Sequence, residues 1–177
     1  MSNDAIVLLK EDRKEILRLF GAYRAYLAQR DAGGADHAAG ADLADRIVHL
    51  LTVHTYLEDE VLYPRLRALL SDPEHEVLRS YQQHRTADQL CEELSAQPPD
   101  GEPPEVRAAR DARIVELIDT VSRRIEEEER EWFPLVRGAV SRKALQDIGT
   151  QLLAVRETAP RPSSSPSGFQ DSPGGTR

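Results

Sequence analysis

The chain has 177 residues, of which 40% are hydrophobic, and this suits one domain of ordinary size with a buried core. Its formal net charge of -8 at pH 7 argues against nucleic acid or an anionic membrane as the main partner, while a protein partner stays open. The single cysteine, Cys91, excludes an internal disulfide and a thiolate metal cluster, which fits a reducing compartment.

The sequence shows no signal for export or membrane insertion. The N-terminal residues carry charges at Asp4 and from Lys10 to Arg13, so the apolar core of a signal peptide does not form. No stretch is long and apolar enough to cross a bilayer. We therefore expect a cytoplasmic protein without a membrane partner.

Helical periodicity predicts two long helices in the first part of the chain. The first runs over residues 5–29, with Asp4 as its N-cap, and its apolar pattern is broken in the region of Gly33 and Gly34. The second runs from about Asp42 to Leu70. It should bend near Pro64, which lacks a backbone donor.

Three further helices follow. Ser71-Asp72-Pro73 caps the third, and Pro98-Pro99-Asp100-Gly101 ends it. The fourth follows a short linker, and Ser141 opens a shorter fifth helix to about Arg156. Short connections make neighbouring helices antiparallel, which predicts an up-down-up-down four-helix bundle. The apolar stripe of the fourth helix comprises Ile114, Leu117, Val121, Ile125, Trp132, Leu135 and Val136.

These elements predict an all-α domain over residues 1–157 with a short C-terminal fifth helix. The remaining residues, 158–177, are too rich in proline, serine and glycine to bury a core. We therefore predict that this tail is disordered.

Polar residues interrupt the apolar stripe of every helix in the predicted bundle. Arg13 lies between Leu9 and Leu17 on the first helix. Charged side chains are rarely buried unless they are paired or bind a metal, so interruptions on all four helices predict one shared polar site. On the other three helices the interrupting residues are His54 and Glu58, His84 and Asp88, and Arg124 and Glu128.

One motif occurs twice, 70 residues apart, with a single difference in charge. The first copy has His54, Glu58 and Tyr63-Pro64; the second has Arg124, Glu128 and Phe133-Pro134. A histidine and a carboxylate four residues apart lie on one face of a helix and can bind the same cation. An arginine cannot, because its guanidinium has no acceptor and stays charged.

The order of these motifs resembles the hemerythrin-like (HHE cation-binding) domain family over roughly residues 4 to 137. The resemblance implies a four-helix bundle with a non-haem di-iron centre that binds oxygen, stores or senses iron, or handles nitric oxide and peroxide. The matching metal ligands are His54, Glu58, His84 and Glu128. The family pattern expects histidine where this chain has Arg13 and Arg124, so two of the six matched ligand positions are changed.

Two hypotheses follow for this altered centre. In the first, the four remaining ligands, with Asp88 nearby, bind one metal ion such as iron, and open positions accept a small ligand such as O2. Its difficulty is electrostatic, because two nearby guanidinium groups oppose a divalent ion by several kcal/mol.

In the second hypothesis the bundle is metal-free and acts as an interaction or regulatory module. Arg13 and Arg124 then replace the charge of the metals and pair with Glu58 and Glu128. An oxidase or peroxide-consuming enzyme would need two redox-active irons, and no Ser-His-Asp order or phosphate loop is present. We therefore do not expect an enzyme.

Overall fold

The structure is a computed structural model that describes residues 3–34, 36–70, 86–96 and 103–159, and all regular structure within these ranges is helical. The predicted all-α fold is confirmed. Two short π-helical turns interrupt the second and fourth long helices. The elements are α1 (Ala5–Asp31), α2 (His37–Leu57), π1 (Glu58–Leu62), α3 (Tyr63–Leu69), α4 (86–95), α5 (Pro104–Glu127), π2 (Glu128–Trp132), α6 (Phe133–Ala139) and α7 (Arg142–Arg156).

Helix α1 begins where the sequence predicts, since the Asp4 carboxylate accepts a hydrogen bond from the backbone N–H of Val7 at 3.2 Å. Helix α2 begins at His37, earlier than the predicted Asp42, and Asp36 caps it. The prediction was wrong because it took the glycine- and alanine-rich run for a loop. Gly40 is needed inside this helix, since a Cβ there would collide with the ring of Tyr26.

The predicted bend near Pro64 takes the form of a π turn. The backbone N–H of Tyr63 donates to the carbonyl of Glu58, and that of Phe133 donates to Glu128 at the equivalent place. Each π turn is followed, after one intervening residue, by a proline, at which a regular α-helix would lack a backbone donor and crowd a carbonyl. Both turns begin at a glutamate of the duplicated motif.

Two apolar clusters form the core, and a layer of charged side chains lies between them. Along α1, Leu9 belongs to one cluster and Ile16 to the other, while Arg13 lies between. Along α2, His54 has the same place between Leu51 and Leu57. The chain thus buries its polar site in the middle of the bundle.

Two residues of the predicted stripes are exposed. Leu17 is 42% exposed, whereas its neighbour Ile16 is buried. The inward face of α1 therefore includes Leu9, Arg13 and Ile16. Leu135 is 52% exposed because π2 adds a residue to its helical turn and so changes which face points inward. Val136 is buried as predicted.

The predicted third helix is described only over its last part. Helix α4 buries Ala87, Leu90, Cys91 and Leu94. The predicted cap at residues 71–73 and the ligand His84 lie outside the described residues. Among the residues that are described, no helix is long and apolar enough to cross a membrane.

Helix α7 confirms the predicted fifth helix, with Ser141 as its N-cap at 3.2 Å from the N–H of Ala144. It packs against α1, α2 and π1 through Leu145, Ile148 and Leu152. Gly149 lies so close to the backbone of Asn3 that a Cβ would collide with it. The predicted tail falls almost wholly outside the described residues, and the division at residue 157 stays a prediction.

Candidate functional site: a buried arginine and glutamate network

The polar layer contains two arginines and two glutamates that are almost inaccessible to solvent. Arg13 comes from α1, Glu58 begins π1, Arg124 lies in the last turn of α5 and Glu128 begins π2. Their exposed fractions are 1%, 0%, 5% and 3%, respectively. The inward positions that the sequence predicts for all four are therefore confirmed by their burial.

Each arginine contacts both carboxylates. Arg13 Nη2 donates to Glu58 Oε1 at 3.3 Å and also to Glu128 Oε2. Arg124 Nη2 donates to Glu58 Oε2 at 3.3 Å, and Arg124 Nε lies 3.4 Å from Glu128 Oε1. Two positive and two negative charges thus form a closed network without net charge, which we call the central network.

The aromatic residues that precede the two prolines lie against the central network. The guanidinium carbon of Arg13 lies 4.3 Å from the ring centroid of Phe133, a distance suited to a cation–π contact. Burial, reinforced by the charges of Glu58 and Glu128, raises the pKa of Tyr63 well above its usual range. Tyr63 therefore stays neutral beside the carboxylates.

His54 lies at one edge of the central network and is 2% exposed. Its Nε2 is 3.2 Å from Glu58 Oε1, and its Nδ1 is 3.7 Å from Asp12 Oδ2, although neither nitrogen is aligned for a hydrogen bond. Burial lowers the pKa of His54, but the two neighbouring carboxylates outweigh that effect, so its pKa is raised overall.

A second ion pair connects His54 with helix α7. Both terminal nitrogens of Arg156 donate to the Asp12 carboxylate, one of them at 2.9 Å. Burial raises the pKa of Asp12, but His54 and Arg156 lower it by more than burial raises it. The pKa of Asp12 is therefore lowered overall. Sequence patterns do not predict this pair. Asp12 gave a weak signal as the neighbour of Arg13, whereas Arg156 gave none, because its partner depends on how α7 packs.

Several buried polar atoms around the central network lack an aligned hydrogen-bond partner. An unpaired buried donor or acceptor is costly, so these atoms lower the stability that the central network provides. They belong to four of the residues already described. The atoms are Nε and Nη1 of Arg13, Nε and Nη1 of Arg124, both ring nitrogens of His54, and Oε1 of Glu128.

The predicted metal ligands are brought together in part. Glu58 and His54 are neighbours, and Glu128 reaches the same centre through Arg13, whereas His84 lies outside the described residues. Asp88, which the sequence places near the site, is half-buried on α4. Across the described ranges, no group of three or more histidine, cysteine, aspartate or glutamate side chains has the arrangement of a metal site.

The protein is an all-α bundle whose buried polar layer contains the two glutamates of the duplicated motif, Glu58 and Glu128. Residues 4–136 match the sequence profile of the hemerythrin HHE cation-binding domain. The chain therefore belongs to the hemerythrin HHE cation-binding domain family, as its motifs predict. Searches of curated proteins and of solved structures return no match.

Proposed function

We propose that this hemerythrin-family protein is a non-enzymatic, cytoplasmic binding or regulatory module in which the central network takes the place of a di-metal centre. The observation that carries the proposal is that Arg13 and Arg124 each contact both Glu58 and Glu128. The arginines thereby occupy the carboxylate oxygens that would otherwise bridge two metal ions.

The described residues fit a di-metal centre poorly for two reasons. The guanidinium groups have no lone pair to offer a metal, and their charge opposes a divalent ion by several kcal/mol at this range. The pKa of Arg124 supports this reading, because burial lowers it but Glu58 and Glu128 raise it overall, so the guanidinium stays charged. Neutrality inside the bundle is then provided by side chains alone.

A second candidate function is binding of one cation at the first half of the bundle. It is favoured by the short distance of 3.2 Å between His54 Nε2 and Glu58 Oε1, since both groups can bind the same ion. Glu58 would have to leave Arg13 and Arg124 to do so. Iron would be the expected ion, and a small ligand such as O2 would fill an open position.

The deciding experiment is elemental analysis of protein purified from iron-supplemented cells, with a visible spectrum recorded in air. We expect far less than one metal ion per chain and no visible absorption from an oxo-bridged pair of irons. Two irons per chain would contradict the proposal that the central network takes the place of a di-metal centre. One metal per chain, lost in His54→Ala, would establish the second candidate function instead.

The double variant Arg13→His/Arg124→His gives the converse test, because it restores imidazoles at the two ligand positions that the family pattern expects. We expect this variant to bind iron or another divalent ion, which the wild-type chain does not. The matched control is Arg18→His/Arg113→His, which places two histidines at exposed positions on the same two helices. Equal metal content in both double variants would argue against a latent metal centre.

A further inference from the structure

Arg124 belongs both to the central network and to the wall of a surface cavity. The cavity has a volume of about 210 Å³ and is lined by Thr86 of α4 and by Thr120, Arg123, Arg124 and Glu127 of α5. This volume is below the roughly 300–1,000 Å³ typical of pockets for larger organic ligands. The cavity therefore suits a small ligand or a single chemical group of a larger one.

The chemistry of the wall favours an anion. Among the described lining residues, two guanidinium groups and two hydroxyl groups can donate hydrogen bonds, against the Glu127 carboxylate, and Asp88 lies close enough to raise the pKa of Arg124. Arg124 is 5% exposed, and its Nη1 is buried without a hydrogen-bond partner. Arg123 is exposed, and its Nε donates to the backbone carbonyl of Asp119 at 3.3 Å. An apolar ligand would leave the donors of the wall unpaired.

We propose that this cavity binds a small oxyanion, namely inorganic phosphate or the phosphate group of a small metabolite. The planar fork of an arginine matches the oxygens of phosphate, and hydroxyl groups complete the set of donors. Arg123 and Arg124 provide the positive charge, and Thr86 and Thr120 provide the neutral donors.

The position of Arg124 gives this anion site a consequence for the whole bundle. Arg124 Nη2 already donates to Glu58, so an anion in the cavity competes with the buried carboxylates for the same guanidinium. Binding at the surface is thereby linked to the central network. This inference rests on the proposed function, because Arg124 must remain inside the bundle rather than turn away from a metal.

The test is isothermal titration of the full chain with inorganic phosphate, at constant ionic strength and with metal content measured on the same sample. We expect saturable binding of one phosphate per chain. Arg123→Ala should weaken the affinity about 10-fold, as the loss of a charge-assisted hydrogen bond implies. Arg113→Ala is the matched control, since it removes an exposed arginine of the same helix outside the cavity.

The outcomes separate this inference from the proposed function. A metal-free protein that binds neither inorganic phosphate nor a glucose phosphate, or whose Arg123→Ala and Arg113→Ala variants bind phosphate equally well, overturns the anion site and leaves the central network intact. Stoichiometric metal in the wild-type chain overturns the proposed function and the anion site together. A glucose phosphate that binds while inorganic phosphate does not would overturn free phosphate as the ligand and identify a phosphorylated metabolite.

Discussion

The described parts of the first half of the bundle (α1, α2 and π1) and of its second half (α4, α5 and π2) place a glutamate at the start of the same π turn and present different side chains beside it. In the first half, His54 precedes Glu58, where π1 begins; in the second, Arg124 precedes Glu128, where π2 begins. Both turns end before a proline. The carboxylates are thus placed alike, and one substitution per half decides the charge of the centre.

The surroundings of the two positions also differ. Behind His54 lies the ion pair of Asp12 and Arg156, through which α7 contacts this side of the bundle. Beside Arg124 lies the cavity that α4 and α5 line. The first half is thus closed by an additional helix beyond the family match, whereas the second has a surface cavity beside its buried arginine.

The largest expected effect comes from removing the carboxylate that both halves share. Glu58 contacts His54, Arg13 and Arg124 and is fully buried. The Glu58→Gln variant leaves two buried guanidinium groups against one carboxylate, so we expect the free energy of unfolding to fall by about 3–5 kcal/mol. Urea denaturation followed by circular dichroism measures this loss.

Glu60→Gln is the control for that variant, because Glu60 lies in the same π turn and is exposed. Its expected effect is within about 0.5 kcal/mol of wild type. If the two variants were equally stable, the buried charges would not be coupled and the central network would have no energetic role. If Glu58→Gln fails to fold, its recovery with a compensating Arg124→Gln would support the same coupling.

How far the sequence predicts this structure depends on the range of the interactions. Helices α1 and α7 with their caps at Asp4 and Ser141, and the inward placement of Arg13, Glu58, Arg124 and Glu128, follow from local periodicity, and they are confirmed. The family follows from motif order in the same way. These features depend on residues a few positions apart, which a single sequence contains in full.

Other features depend on packing between distant segments and could not be predicted. The close approach of Tyr26 to Gly40 depends on how α1 and α2 pack, and the Asp12–Arg156 pair requires α7 to pack on α1. The π turns were missed because a proline in a helix predicts a bend without specifying its form. Leu135 was wrongly placed in the core for that same reason.

An intermediate effect is expected from Gly149, where α7 closes the first half. A methyl group there would collide with the backbone of Asn3, so Gly149→Ala should displace α7 or the N-terminal segment. We expect a loss of about 1–3 kcal/mol in the free energy of unfolding. Gly138→Ala is the control in α6, where a Cβ meets nothing within 4 Å and helix propensity favours alanine by up to about 1 kcal/mol. A neutral Gly149→Ala variant would contradict the close packing of α7.

The smallest effect should distinguish the halves by pH, because the first half carries a titratable histidine where the second carries an arginine that stays charged. The pKa of His54 is raised above its ordinary value of 6.5 in the folded state, so the folded protein binds this proton more tightly than the unfolded chain does. Its stabilising contribution is complete below pH 6.5 and is lost as the pH rises through the folded pKa.

Urea midpoints measured from pH 6 upward should therefore decline for wild type more steeply than for His54→Gln. Asp12 does not interfere, because its lowered pKa makes its contribution complete above about pH 4 and lost only as the pH falls through the folded pKa. Burial raises the pKa of Cys91 from its ordinary value of 9.0 to about 12, so this thiol lowers stability only above about pH 9, and the series should end near pH 8. His49→Gln, at an exposed position of α2, should retain the wild-type slope. If the urea midpoints of wild type and His54→Gln declined equally with pH, Glu58 and Asp12 would not hold a proton on His54. His54 would then be neutral in the folded protein, unlike Arg124 at the equivalent position.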